Sequence, residues 1–180
     1  MILPRICVLD ACFIIDWIRW RNSDVVKRVF ASSFIPESTL RELTTPAPLR
    51  AIREWISAGW LTIYPHFREL EDEALDFILN ARADPRVPRI DMPEAICTVL
   101  AKRLKAAVLT ENRGILRAYQ LKSEVFGPAV VMNSLRLLAH LYREGFFTES
   151  FDDLVKEYER DTKHAFSSRE IDLVKEDFGI

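Results

Sequence analysis

The residues best suited to chemistry are carboxylates and one amide at the ends of apolar segments. Asp10 directly follows Ile6-Cys7-Val8-Leu9, Glu42 follows Phe34-Ile35-Pro36 by one short helix, Glu94 sits in Asp91-Met92-Pro93-Glu94, and Glu111-Asn112 follows Ala107-Val108-Leu109-Thr110. A parallel sheet brings such strand ends to one edge, where ligands and catalytic groups collect. Carboxylates gathered there raise one another's pKa, and a hard divalent cation relieves the repulsion. Oxygen ligands favour magnesium or manganese over zinc. His66, His140 and His164 all lie away from these positions in the chain, which argues against histidine-based catalysis.

Each of these residues also has a plainer reading. A lone charge at the end of a buried strand calls for a metal or a basic partner, yet Asp10 equally suits the N-cap of a helix starting near Ala11. Asp91-x-x-Glu94 has the form of a capping box, with Asp91 as cap and Glu94 free to act as ligand in the reading favoured here. Glu42 suits a helix surface, and Arg113 and Arg117 suit i,i+4 neighbours on a solvated face. Trp17, Trp20, Trp55 and Trp60 lie in apolar stretches and read as core.

The elements that must position these groups follow from periodicity. Val8 and its neighbours form an unalternating apolar run, the pattern of a strand buried on both faces, and 106–110 repeats it. Residues 34–36 and 61–64 are further strand candidates. Helical spacing appears over 13–20, 22–30 (capped by Asn22 or Ser23), 36–42, 49–58, 69–81, 91–104, 113–121 and 133–144, with Gly59 and Gly145 as stops. Residues 82–89 read as a loop, and Val125-Phe126 and Val130-Val131 frame a turn at Gly127-Pro128. Strands alternating with helices predict an α/β domain over 1–145, a three-layer α/β/α sandwich with a mainly parallel sheet. Residues 146–180 are expected to form a helical appendage of two short helices.

The chain has 180 residues, about half of them apolar, enough for one domain with a real core. A formal net charge of -2 excludes a grossly cationic nucleic-acid binder but leaves room for a local basic patch. Cys7, Cys12 and Cys97 lack C-x-x-C spacing, which points to buried thiols in a reducing cytoplasm. No apolar run reaches membrane-spanning length.

Taken in order, Val8-Leu9-Asp10, Ile35-Pro36 with Arg41-Glu42-Leu43, Asp91-Met92-Pro93-Glu94-Ala95 and Val108-Leu109-Thr110-Glu111-Asn112-Arg113 resemble the PIN-domain nuclease family, in particular its small prokaryotic members with a short helical tail. The resemblance spans nearly the whole chain. It implies an acidic pocket that binds one or two Mg2+ or Mn2+ ions and hydrolyses phosphodiester bonds in single-stranded RNA. Carried over by position, Asp10, Glu42, Glu94 and Glu111 are the catalytic acids, and Asp10, Glu94, Glu111 and Asn112 the metal ligands. Thr110, Arg113 and Arg117 then face the substrate. Many relatives are toxins of toxin–antitoxin pairs, which implies a homodimer and an antitoxin protein as partner.

Three positions depart from the family pattern. Cys12 stands where a small polar residue is usual and is expected to be a poor hydrogen-bonding substitute. Pro93 replaces a glycine, which suits a first helical turn. Asn112 replaces an aspartate, with Glu111 one residue early. That change leaves a second expectation open, a catalytically weakened protein-binding module. An aspartate-based phosphotransfer domain is a third, but Cys12 occupies the place of the second Asp such a site needs.

Overall fold

The computed structural model describes residues 3–180. Its centre is β1 (Ile6–Leu9), flanked by β2 (Ser32–Pro36) and β4 (Ala107–Leu109), with β3 (Leu61–Tyr64) and β5 (Val130–Met132) at the edges. The order is β3-β2-β1-β4-β5 and every pairing is parallel. Side chains alternate between two cores: Cys7, Leu9, Ala107 and Leu109 point into one, Val8 and Val108 into the other. Both faces are therefore covered, which is why neither strand shows polar alternation.

One helical layer holds α1 (Ala11–Trp17), α2 (Val26–Val29), α4 (Pro46–Ser57), α8 (Ser134–Arg143), α9 (Phe151–Thr162) and α10 (Ser168–Phe178). The opposite layer holds α5 (Arg68–Arg82), α6 (Met92–Leu104) and α7 (Arg113–Leu121). A single-turn helix, α3 (Glu37–Leu40), follows β2. The result is the expected three-layer α/β/α sandwich. The chain lays β2 and β3 on one side of β1, then crosses to β4 and β5 on the other. The reversal between β1 and β4 is the place where α/β sheets open a crevice for ligands.

Several elements differ from expectation. The first helix stops at Trp17, whose indole N–H donates to the Ser23 carbonyl at 2.8 Å. Neither Asn22 nor Ser23 caps the next helix: the Asn22 amide donates to Glu157 at 2.9 Å, and the segment breaks into a 3-10 turn, Ser23–Val25, before α2. Residues 123–126 form another 3-10 turn, while 130–132 become the edge strand β5. Gly59 and Gly145 do end their helices, at φ of 70° and 74°, a conformation that favours glycine.

The tail is built into the fold. Phe151, Leu154, Val155, Tyr158, Val174 and Phe178 are buried in the same core as Phe13, Trp17 and Leu138. Ser150 caps α9, and Ser167 with Glu170 forms a capping box on α10. All four tryptophans are buried, as read from the sequence.

Candidate active site

Asp10 lies at the end of β1 with 1% of its surface exposed. The capping reading holds for this residue, and its other partners are uncharged. It caps α1, accepting from the Ala11 N–H at 2.7 Å, and its second oxygen accepts from the Thr110 hydroxyl at 2.5 Å and the Cys12 thiol at 2.9 Å. The Cys12 sulfur also accepts the Glu111 N–H at 3.2 Å. The thiol thus fills the hydrogen-bonding role for which cysteine was expected to be a poor choice. Burial raises the Asp10 carboxyl above its ordinary range, against these three hydrogen bonds, which lower it.

Glu94 occupies the first turn of α6. Its Oε1 accepts from the Asn112 amide at 3.1 Å, while Oε2 is shut off from solvent with no hydrogen-bond partner. Burial raises its pKa, and the nearby Asp10 and Asp91 carboxylates raise it further. The expected capping box does not form, because Asp91 makes no side-chain cap and pairs with Arg89 at 2.7 Å.

Glu42 lies beyond its helix. The α3 turn ends at Leu40, and the Glu42 N–H donates to the Thr39 carbonyl at 3.1 Å. The Thr39 hydroxyl, fully buried, lies 3.1 Å from the Cys97 sulfur on α6, which fixes Glu42 on the side of Glu94. Although exposed, the Glu42 carboxyl is pushed up to about 7, first by partial desolvation and then by the Glu94, Asp10 and Asp91 carboxylates. Among the described residues, no three His, Cys, Asp or Glu side chains stand close enough to cage an ion as they lie. The acids share a field and one orphaned oxygen.

The segment after β4 splits. Thr110 is 1% exposed. It orients Asp10 and accepts the Asn112 N–H at 3.0 Å, so burial corrects its reading as a substrate contact. Asn112 caps α7, accepting from the Ile115 N–H at 3.0 Å, so its oxygen is committed to the helix and its nitrogen to Glu94. Gly114 lets the first turn of α7 lie against residues 88–90, just before α6: a Cβ there would come within 2.8 Å of the Pro88 and Arg89 carbonyl oxygens.

Glu111 turns the other way. Its Oε1 accepts the Ser134 N–H at 2.7 Å and also the Ser134 hydroxyl, and its Oε2 lies 3.9 Å from His164 Nε2. Tyr158 donates to the Ser134 hydroxyl at 2.7 Å, and His164 Nδ1 meets Asp16 at 2.9 Å. Burial raises the Glu111 pKa, but Ser134 and His164 lower it. Two readings are corrected here. Glu111 is spent on internal partners, and a histidine does stand beside one of the chosen acids. Asp16, Ser134, Tyr158 and His164 escaped sequence reasoning; the only local signal was Asn133-Ser134, placed after a strand at a helix start.

Arg113 and Arg117 stand exposed on α7, on the wall of a cleft of ≈ 580 Å³ bounded also by Arg86, Leu135, Arg136 and Leu173. Compared with known proteins, the chain matches no family model and no curated protein. Among the described residues no helix is long and apolar enough to cross a membrane.

Proposed function

We propose that the protein is a PIN-type, metal-dependent ribonuclease that hydrolyses phosphodiester bonds of single-stranded RNA. The observation that carries this reading is the grouping of Asp10, Glu94 and Glu42 at the sheet's switch point, with Glu42 lifted to about 7 and Glu94 Oε2 left without a partner. Structural carboxylates are ordinarily satisfied; unsatisfied, mutually repelling ones mark functional sites. The donor set fits a hard cation, since magnesium needs only one or two carboxylates besides water and substrate phosphates. Asp10 and Glu94 would hold Mg2+ or Mn2+.

The bound ion would lower the pKa of water and offset charge on the phosphate. Glu42, poised near neutrality, is suited to take the proton from the attacking water. Thr110 and Cys12 hold the Asp10 carboxylate in one orientation, and Asn112 does the same for Glu94. Arg113 and Arg117 provide guanidinium groups for phosphate. The resemblance to small prokaryotic PIN proteins extends the reading to a cytoplasmic toxin, homodimeric and neutralised by an antitoxin.

One observation favours a second reading. Both polar ends of Asn112 are engaged within the fold, so no fourth acid joins the group, as in a weakened, protein-binding relative. Cleavage of a labelled single-stranded RNA with Mn2+, Mg2+ or chelator separates the two. The nuclease reading expects metal-dependent cleavage that falls by roughly 100-fold or more in Asp10→Asn, beyond the loss typical of a residue that only supports a ligand. A folded wild-type protein that cleaves nothing leaves the binding module.

A further inference from the structure

The cleft between α7, α8 and α10 carries a charge imbalance that the fold does not resolve. Four arginines line it, Arg86, Arg113, Arg117 and Arg136, against two acids, Glu170 and Asp177. Both acids are engaged, Glu170 in the capping box of α10 and Asp177 with Arg136 at 2.7 Å. Arg86 is held on both sides by Asp84, at 3.0 and 2.7 Å. Among the described residues, Arg113 and Arg117 form no ion pair; Arg117 meets only the neutral Gln120, at 3.2 Å. Two like charges one helical turn apart are mildly destabilising unless an anion joins them.

Opposite these arginines α8 and α10 present a mixed wall, with Leu173 beside the engaged Arg136–Asp177 pair and Glu170. Leu135 and Val174 are buried beneath it, and Leu173 is 51% exposed on α10. A cleft of ≈ 580 Å³ falls in the range that takes a small-molecule-sized unit. It also lies close to the acids in the chain, since Arg113 follows Asn112, whose amide holds Glu94.

We propose that this cleft is a nucleotide subsite of the RNA-cleaving centre, binding a residue next to the scissile bond. The phosphate lies between Arg113 and Arg117, and the base or sugar rests on Leu173 and its apolar neighbours. The proposal rests on the ribonuclease reading for the identity of its ligand. Apolar contact with Leu173 and a phosphate held by arginines carry no base-edge readout, so they give affinity with little sequence preference. The tail therefore does more than fill the core: α10 supplies one wall of the subsite.

Fluorescence anisotropy of a labelled eight-nucleotide single-stranded RNA, titrated in chelator so that nothing is cleaved, tests this directly. The variants are Arg113→Ala/Arg117→Ala and Leu173→Glu, all at exposed positions, with thermal melting as the check on folding. The double variant is expected to weaken binding by tenfold or more, about the effect of losing charge-assisted bonds. The slope of log affinity against log salt should also fall by about 0.7, for one phosphate neutralised on a single strand. Leu173→Glu should weaken binding at least as clearly.

Wild-type affinity in both variants would overturn the subsite, as would a wild-type protein that binds no RNA. Tighter binding of an oligo-glutamate peptide than of RNA would reassign the cleft to an acidic protein segment and overturn it too. The ribonuclease reading fails separately: a protein that binds RNA through the cleft and cleaves none keeps the subsite and loses the nuclease. One that cleaves RNA, while the cleft variants bind it like wild type, does the reverse.

Discussion

At the carboxyl edge of the sheet, residues 110–112 divide between two groups of acids that differ in what surrounds them. Thr110 and Asn112 turn toward Asp10 and Glu94, whereas Glu111 between them turns toward Ser134 and His164. In the second group each acid finds hydroxyls, a backbone N–H or an imidazole. In the first, Asp10 is likewise held by Ala11, Thr110 and Cys12, but no basic group moderates Glu42 and one oxygen of Glu94 has no partner. Burial alone does not separate the groups, because Asp10 and Glu111 are both pushed up by it. What separates them is the unpartnered Glu94 oxygen and the like charge around Glu42. A cluster complete within the fold is structural, and one that awaits a counter-charge points outward to a ligand.

The largest expected effect on stability lies in the satisfied group. Ser134→Ala removes the hydroxyl that donates to Glu111 and accepts from Tyr158, leaving the Tyr158 hydroxyl without its acceptor and Glu111 with the backbone N–H alone on Oε1, which costs about 1–3 kcal/mol. At about 2–4 °C per kcal/mol for a chain of this size, thermal melting should drop by several degrees, with cleavage per folded molecule unchanged. Loss of cleavage beyond loss of fold would break the comparison.

His164 gives a smaller, pH-dependent effect. The Asp16 hydrogen bond raises its pKa, and Glu111 adds to that. A base raised above its unfolded value of about 6.5 stabilises fully below that value and loses the contribution as pH rises through the folded pKa. The melting gap between wild type and His164→Gln should therefore be present at pH 6 and shrink by pH 9. Solvent screening holds it to about 1 kcal/mol or less.

Glu42 shows the opposite sign of interaction and the smallest effect. Its folded pKa of about 7 stands above the ordinary 4.5, so the folded state holds more protons between these values and stability falls as pH rises across the window. Glu42→Gln should leave stability unchanged at pH 4 and raise it at pH 8 by a few tenths of a kcal/mol, limited by exposure. Destabilisation at pH 8 would mean that Glu42 has a favourable partner, and the contrast between the two groups would weaken.

The sequence carried the sheet well because its strands announce themselves. Val8-Leu9 and Val108-Leu109 are apolar on both faces, and the acids after them follow by simple position. The positions of Asp10 at the end of β1, of Glu94 in the first turn of α6 and of Arg113 and Arg117 on α7 were legible in this way; their roles belong to the proposed function. Glu111 was misjudged because one step along a strand end reverses the side chain's direction, which no local pattern records. The pairing of His164 with Asp16 spans 148 positions and depends on how the tail packs. The Glu42 helix shortened to one turn because Thr39 drops into a buried contact with Cys97, again a tertiary matter. Cys12 could be ranked by its weak donor chemistry, but its role comes from three neighbours that only the fold assembles.

Calorimetric titration of Mn2+ into wild type, Glu94→Gln and Glu111→Gln tests the central claim most directly. The account predicts saturable binding in wild type, its loss in Glu94→Gln, and its survival in folded Glu111→Gln. Binding that survives without the Glu94 carboxylate and disappears with Glu111, or no binding in wild type at all, would contradict it.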